Sequence, residues 1–333
     1  MAQFVSSFIT GFQEIVQKDL ISRIKGIKII NIFDGLVHYQ YDGDSRNLEK
    51  ISYFNNTFFV IKAINTSSLN FSSLVNQVSN EKKYYLINKG TFRVRFQKEN
   101  QFEKVDKNIT KKAEETVLKN SKLQIDRLSP STEIWYSIRK ENFSFCGQLI
   151  CKREFTEKNL NKGELRPEIA YFMCCYADIK NDDVILEPFC GYASILVQLV
   201  KNFRFEKLIA SDIDKAKIES DVQKKQLKDN NVLSLCVEDA FMLSQVQDNS
   251  VSLVITDPPW GIYEQIDDIF DFYTKMFISF KRVLKKDGRM VILSARKEEI
   301  KKTASKMNIQ IISSLNTLVN GKKASLYKMV FND

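Results

Sequence analysis

His38 is the only histidine in 333 residues. It lies in the apolar–polar alternation G-L-V-H-Y-Q-Y, the pattern of a strand. A histidine general base, or a zinc site that needs imidazole, therefore has almost nothing to use. The six cysteines, Cys146, Cys151, Cys174, Cys175, Cys190 and Cys236, form no C-x-x-C pair, so reduced thiols and no metal are expected. No run of about eighteen apolar residues occurs, which argues against a membrane-spanning helix. The first dozen residues carry no Lys or Arg, and Glu14 and Asp19 soon follow, so no secretory leader is expected and the protein is placed in the cytoplasm. Internal repeats and low-complexity segments are absent. So are G-x-G-x-x-G, G-x-x-x-x-G-K and G-x-S-x-G, which speaks against a dinucleotide oxidoreductase, a P-loop nucleotidase and an α/β-hydrolase.

What the chain does have is size and asymmetry. Its length exceeds the usual single domain, so two are expected, and an apolar fraction of 44% is enough for real cores. Residues 1–160 hold 25 Lys and Arg against 17 Asp and Glu, a net +8, while residues 161–333 carry only +1. A basic front half joined to a near-neutral back half fits a nucleic-acid grip attached to something else.

The front half alternates short strands and helices. Apolar residues at Phe12, Ile15, Val16 and Leu20 are spaced as on a helix over 11–20. Strands over 27–33 and 36–41 flank Asp34-Gly35, a hairpin signal. In T-F-R-V-R-F (91–96), Phe92, Val94 and Phe96 alternate with Arg93 and Arg95, the pattern of a half-buried strand with two cations on its other face. A helix over about 110–120 and strands near 133–139 and 143–151 follow.

The back half changes character. Apolar strands end at E-P-F-C-G-Y-A-S (187–194), S-D-I-D (211–214), V-E-D-A (237–240) and T-D-P-P-W (256–260), each leading toward a helical pattern. A helix near 266–285, a strand over 287–294 and two further strands near 308–315 and 324–331 complete the domain. Apolar strands alternating with helices predict a parallel, doubly wound α/β sheet. The boundary is expected in the polar connector 152–163, before a helix led by L-R-P-E-I-A-Y-F-M (165–173).

In such sheets ligands bind at the carboxyl ends of strands. In the first turn, Gly191 and Ala193 let backbone amides approach a ligand. Asp212 follows about twenty residues on, the offset at which an acid meets ribose hydroxyls. Asp239 ends the third strand, and Asp257-Pro258-Pro259-Trp260 the fourth. Any one of these acids is explained by a helix cap. Four acidic strand ends in one sheet are not.

The D-P-P-W stretch resembles the (Asp/Asn)-Pro-Pro-aromatic motif of enzymes that methylate exocyclic amines of bases, and the back half resembles a class I S-adenosylmethionine-dependent methyltransferase. The front half is similar to the THUMP RNA-binding domain and its ferredoxin-like helper. G-F-Q-E-I-V-Q-K-D-L matches the opening helix, T-F-R-V-R-F the core strand and F-C-G-Q-L-I-C-K-R-E-F the exit strand, while L-R-P-E-I-A matches the helix entering the catalytic domain. The whole resembles the THUMP-containing tRNA guanine-N2 methyltransferases. The resemblance implies a ferredoxin-like part over 1–45, a THUMP domain over 46–155 and a seven-stranded, mostly parallel Rossmann-like methyltransferase domain over 156–333. It further implies S-adenosylmethionine as cofactor, tRNA near its acceptor stem as substrate, and a monomer.

By the same resemblance Asp257, Pro258 and Trp260 are catalytic. Asp212 binds the ribose, Asp239 the adenine amine, and the turn with Glu187, Cys190, Gly191 and Ala193 the methionine end. Arg93, Arg95, Lys152 and Arg153 are candidate phosphate contacts, with Lys111 and Lys112 at a helix start. Arg166 either faces the cleft or caps its own helix. The family's usual Asp-Pro-x-Cys-Gly-Ser-Gly-Thr is changed here at Glu187, Tyr192, Ala193 and Ser194, and Gln198 stands where an acid is frequent. Alanine fits most turn geometries, but a positive φ would cost it more than glycine. Competing readings are the same chemistry on a ribosomal guanine or at adenine N6, and a catalytically inactive RNA-binding scaffold.

Overall fold

The computed structural model describes residues 2–66, 69–153, 160–218, 227, 231–262 and 265–332. They fall into two compact units, residues 1–8 with 16–154, and residues 9–15 with 155–333.

The first unit is built on one nine-stranded sheet. Its strands are β1 (Gln3–Ser7), β2 (Lys28–Phe33), β3 (Leu36–Gln40), β4 (Asn56–Asn65), β5 (Lys89–Lys98), β6 (Gln101–Phe102), β7 (Lys122–Ile125), β8 (Thr132–Ile138) and β9 (Phe143–Lys152), in the order β2-β3-β1-β4-β9-β8-β5-β6, with β7 also on β5. Gly35, at φ 81°, turns the β2–β3 hairpin at the position its sequence signalled. Helices α1 (Gln13–Arg23), α2 (Arg46–Glu49), α3 (Phe71–Ser79) and α4 (Lys107–Asn120) complete the element list. Leu74 and Val78 of α3 and Val117 of α4 pack onto Phe92, Ile134 and Tyr136 of the sheet. Strands from residues 1–45 and 46–155 share this sheet, since β1 pairs with both β3 and β4. The first turn of α1 clusters with the second unit.

The second unit is a seven-stranded sheet. β10 (Val184–Glu187), β11 (Lys207–Asp212), β12 (Leu233–Val237), β13 (Val251–Thr256), β14 (Leu284–Ser294), β15 (Ile309–Val319) and β16 (Lys322–Phe331) run in the order β12-β11-β10-β13-β14-β16-β15. Neighbours among β10–β14 are parallel, and β16 is antiparallel to both β14 and β15. Helices α5 (Pro167–Tyr176), α6 (Ser194–Asn202) and α7 (Ile269–Val283) fall where helices were expected, whereas α8 (Lys297–Lys306), between β14 and β15, was not expected. Val251, Leu253, Val254 and Ile255 are fully buried, as a central strand covered on both faces demands. Asp268 caps α7 by accepting from the Phe270 and Asp271 N–H groups at 2.9 and 3.1 Å. The middle of the connector (154–159) and most of the charged helix expected after β11 (219–226 and 228–230) lie outside the described residues.

Strand order reverses between β10 and β13. The two strands therefore send their following loops apart, and a crevice opens at their carboxyl ends.

Candidate active site

That crevice holds a cavity of about 450 Å³, within the size range of small-molecule sites. Glu187 closes β10 and is fully buried. Its Oε1 accepts from the Thr256 hydroxyl (2.8 Å) and the Phe189 N–H (3.2 Å), which ties β10 to β13 across the switch point. Its Oε2 is buried without a partner. Burial, reinforced by the nearby Asp257 and Asp212, pushes this carboxyl well above the usual range despite the two hydrogen bonds.

The turn after β10 is stitched to the end of β11. The Cys190 N–H donates to the Ser211 carbonyl (2.9 Å), and the Gly191 N–H to Asp212 Oδ2 (2.7 Å). Asp212 Oδ1 accepts from the Asp214 N–H (2.9 Å) and Asp239 Oδ1 from the Phe241 N–H (2.8 Å), so both acids brace their own loops. Glu238 turns to the Ser244 hydroxyl and the Gln245 N–H. Ala193 is left-handed, at φ 59° and ψ 22°. The alanine that replaces the family's glycine thus sits in the conformation that favours glycine, and it is buried at the start of α6 rather than lining the cavity.

After β13 the prolines turn the chain out of the sheet. Asp257 is half-buried, with its Oδ1 out of solvent and unpartnered. Burial pushes its carboxyl up to about 8, against a hydrogen bond from the Trp260 side chain. The Trp260 indole N–H also donates to the Leu293 carbonyl (3.3 Å), and its own carbonyl accepts from Arg296 Nε (2.7 Å). The end of β14 thus clamps the D-P-P-W loop. Glu187, Cys190, Gly191, Asp212, Asp239, Asp257, Pro258 and Trp260 all line the one cavity.

Sequence reasoning missed other parts of the lining. Ile213 is 74% exposed beside Asp212, and it and Phe241 supply apolar surface. The β15–β16 turn brings in Asn320. An isoleucine directly after the acid of β11 was a readable signal for the first.

In the first unit Arg93 and Arg95 share a partner. Arg93 Nε donates to Glu133 Oε1 (2.8 Å) and Arg95 Nε lies 3.1 Å from Glu133 Oε2, which also accepts from the Trp135 indole (2.7 Å). The Arg95 guanidinium stacks 4.6 Å from the Phe102 ring centre. Lys152 ends β9, two strands from β5, and Arg153 follows it; Lys152 is exposed and the Arg153 N–H donates to the Asn55 carbonyl (2.8 Å). Lys112 donates to the Asn76 carboxamide (2.7 Å) and Lys111 lies 3.9 Å from Glu115. Arg166 holds the N-cap position of α5 without a side-chain capping bond; its Nε donates to Glu168 (2.6 Å). Among the described residues no group of three or more His, Cys, Asp or Glu is placed to hold a metal ion, and no helix is long and apolar enough to cross a membrane.

Counted from β10 as the first, the strand order is 3-2-1-4-5-7-6, with acidic strand ends around one cavity at the reversal. This is a class I, S-adenosylmethionine-dependent methyltransferase fold. Residues 153–324 match the UPF0020 family, described as the RMKL-like methyltransferase domain, and the chain belongs to that family. A protein of Methanothermococcus thermolithotrophicus named probable tRNA (guanine(10)-N2)-dimethyltransferase is 33% identical over 127 residues, which are 36% of this chain and 74% of that protein. The Bos taurus U6 snRNA (guanine-N(2))-methyltransferase THUMPD2 is 30% identical over 137 residues, 39% of this chain but only 25% of its own length. The crystal structure of TrmN from Thermus thermophilus covers 100% of both chains with a TM-score of 0.80 at 16% identity, a likeness of fold.

The cavity suits the cofactor of this class. It offers two carboxylates on neighbouring strand ends, exposed apolar surface at Ile213, and buried oxygens on Glu187 and Asp257 that no described residue satisfies.

Proposed function

We propose that this protein methylates the exocyclic N2 of a guanine in tRNA. The observation that carries the reading is the buried Asp257 Oδ1, without a partner among the described residues, in a D-P-P-W loop that lines the cavity of an RMKL-like methyltransferase domain. S-adenosylmethionine, when bound, supplies a methyl carbon activated by a positive sulfur. Asp212 and Asp239 hold its ribose and adenine ends, with Ile213 and Phe241 against the base. The turn with Glu187, Cys190 and Gly191 holds the methionine end.

Guanine N2 is a poor nucleophile because its lone pair is delocalised into the ring. Asp257 and the Pro258 carbonyl accept its two N–H bonds, which directs the lone pair at the methyl group and stabilises the positive charge that grows on nitrogen. The nitrogen must then lose a proton, and a carboxylate whose ordinary value has been raised by burial takes it more readily than an exposed aspartate. The prolines fix the carbonyl. Trp260, its indole N–H tied to Leu293, offers a face on which a flipped-out base stacks. Positioning supplies the rest.

The first unit grips the RNA. Its net positive charge supports this, with Arg93, Arg95, Lys152 and Arg153 as phosphate contacts. The target is a guanine in the acceptor-stem region or at position 10, the position in the archaeal relative's name, and the protein acts as a monomer in the cytoplasm. The test is to incubate protein and S-adenosylmethionine with unmodified tRNA, U6 snRNA, ribosomal RNA or DNA, then digest and identify nucleosides by mass spectrometry. N2-methylated guanosine from tRNA is expected. The same product from U6 snRNA alone would move the substrate toward that of the bovine relative. No methylated nucleoside from any pool, with RNA still bound, would leave the scaffold reading.

A further inference from the structure

The hairpin joining β15 and β16 turns on Asn320 and Gly321, between the paired Val319 and Lys322. Their φ values are 49° and 77°, the left-handed geometry that a two-residue hairpin needs and that Asn and Gly adopt at least cost. The turn explains a residue such as Asn, Asp or Gly. It does not explain the surroundings of the carboxamide. Asn320 lines the cavity of Asp257, Pro258 and Trp260, and its Oδ1 is buried with no hydrogen-bond partner among the described residues. Leaving such an oxygen unsatisfied costs about 1–3 kcal/mol, and one carried by a residue that lines a binding cavity is placed to be satisfied by what the cavity binds. Among the described residues, three that line this cavity, Glu187, Asp257 and Asn320, carry a buried oxygen without a partner. Glu187 is fully buried against Thr256, which leaves Asp257 and Asn320 for the substrate.

Resting on the reading of Asp257 and Pro258 as acceptors for the N2 amine, we propose that Asn320 reads the target base. Along its pairing edge guanine presents two N2–H donors, then the N1–H donor, then the O6 acceptor. Asp257 and the Pro258 carbonyl take the first two. The Asn320 oxygen accepts N1–H, and its amide nitrogen, the next group along, donates to O6. Asn320 is thus a base-binding residue that orients the amine it does not itself touch.

The test uses tRNA assembled from two ligated pieces, with guanosine or 2-aminopurine at the methylated position. 2-Aminopurine keeps the N2 amine but lacks N1–H and O6. N320G keeps the turn, since glycine favours a positive φ, and removes the carboxamide; N320D keeps the turn and an acceptor oxygen. On guanosine, N320G is expected to lose about 10–100-fold in kcat/KM, the value of a buried hydrogen bond, and N320D clearly less. 2-Aminopurine is expected to cost the wild type a similar factor but N320G little more, because the contact is already gone. A merely structural role would lower both substrates alike. Wild-type kcat/KM in N320G, or the same 2-aminopurine penalty in both proteins, would overturn the inference alone. A wild type that methylates no guanosine would overturn the proposed function and this inference with it.

Discussion

Asp257 joins two predictions that pull in opposite directions. In the folded protein its carboxyl keeps a proton up to about 8, whereas in the unfolded chain it releases one near the ordinary 3.8. Between those values unfolding releases a proton, so this group makes stability fall as pH rises. At 1.36 kcal/mol per pH unit the cost reaches roughly 4 kcal/mol at pH 7, and water at the cavity mouth cuts it to about 2. Replacing Asp257 by asparagine keeps the shape and removes the ionisable group. The variant is expected to melt about 4–8 °C above the wild type at pH 7. Because the wild-type penalty grows from pH 4 to pH 8 and is constant above, the gap should be small at pH 5, largest near pH 8 and level beyond.

Catalysis should move the other way. Asp257→Ala removes an acceptor aimed at developing charge and is expected to lower kcat about 10²–10³-fold with tRNA binding near normal. Asp257→Asn keeps one acceptor oxygen but cannot take the proton, so its loss is smaller, about 10-fold. The wild-type rate should rise with pH toward about 8 as the carboxyl ionises, and the asparagine variant should show no such rise. Differential scanning fluorimetry across pH 5–9 and single-turnover methylation read both arms. Full activity in the alanine variant, or a melting gap of equal size at pH 5 and pH 8, would refute the reasoning.

Ala193→Gly relieves a left-handed alanine, less what glycine adds to the freedom of the unfolded chain, and should raise the melting temperature by about 1–4 °C. An unchanged or lower midpoint would show that the turn bears no strain. The double change Arg93→Ala with Arg95→Ala leaves Glu133, whose side chain is only 10% exposed, without its cations, and is expected to destabilise by about 3 kcal/mol. Adding Glu133→Gln should restore folding, and in that background the salt slope of tRNA binding should flatten by about 1.5–2; an unchanged slope removes both arginines from the grip. Arg296→Met frees the Trp260 carbonyl and should lower kcat about 10-fold with S-adenosylmethionine affinity retained, as calorimetry would show. Unaltered kcat would dismiss the clamp.

The second unit was legible because its strands are covered on both faces and read as apolar runs, each stopped by an acid or a proline. Val251–Ile255 followed by D-P-P-W is the clearest case. In the first unit β4 escaped notice: F-F-V-I is apolar without alternation, so period two had nothing to register. The helix α3 was not expected either, although Phe71, Leu74, Val75 and Val78 keep helical spacing.

What stayed hidden in the site depends on partners distant in sequence. T-F-R-V-R-F placed Arg93 and Arg95 on one face, but not Glu133, forty residues on, on that same face. The Asn320-Gly321 pair was a plain hairpin signal, yet its place in the cavity follows from the antiparallel insertion of β16 between β14 and β15. Arg296 bonds a carbonyl thirty-six residues back, and a carbonyl carries no sequence identity at all. Periodicity reports which face a side chain occupies, and motifs report which strand ends carry acid. Neither reports which loops share a cavity with those ends. The residues that would hold the reacting groups were therefore readable from the chain, while Arg296 and Asn320, which fix the loop and read the base, required the assembled sheet.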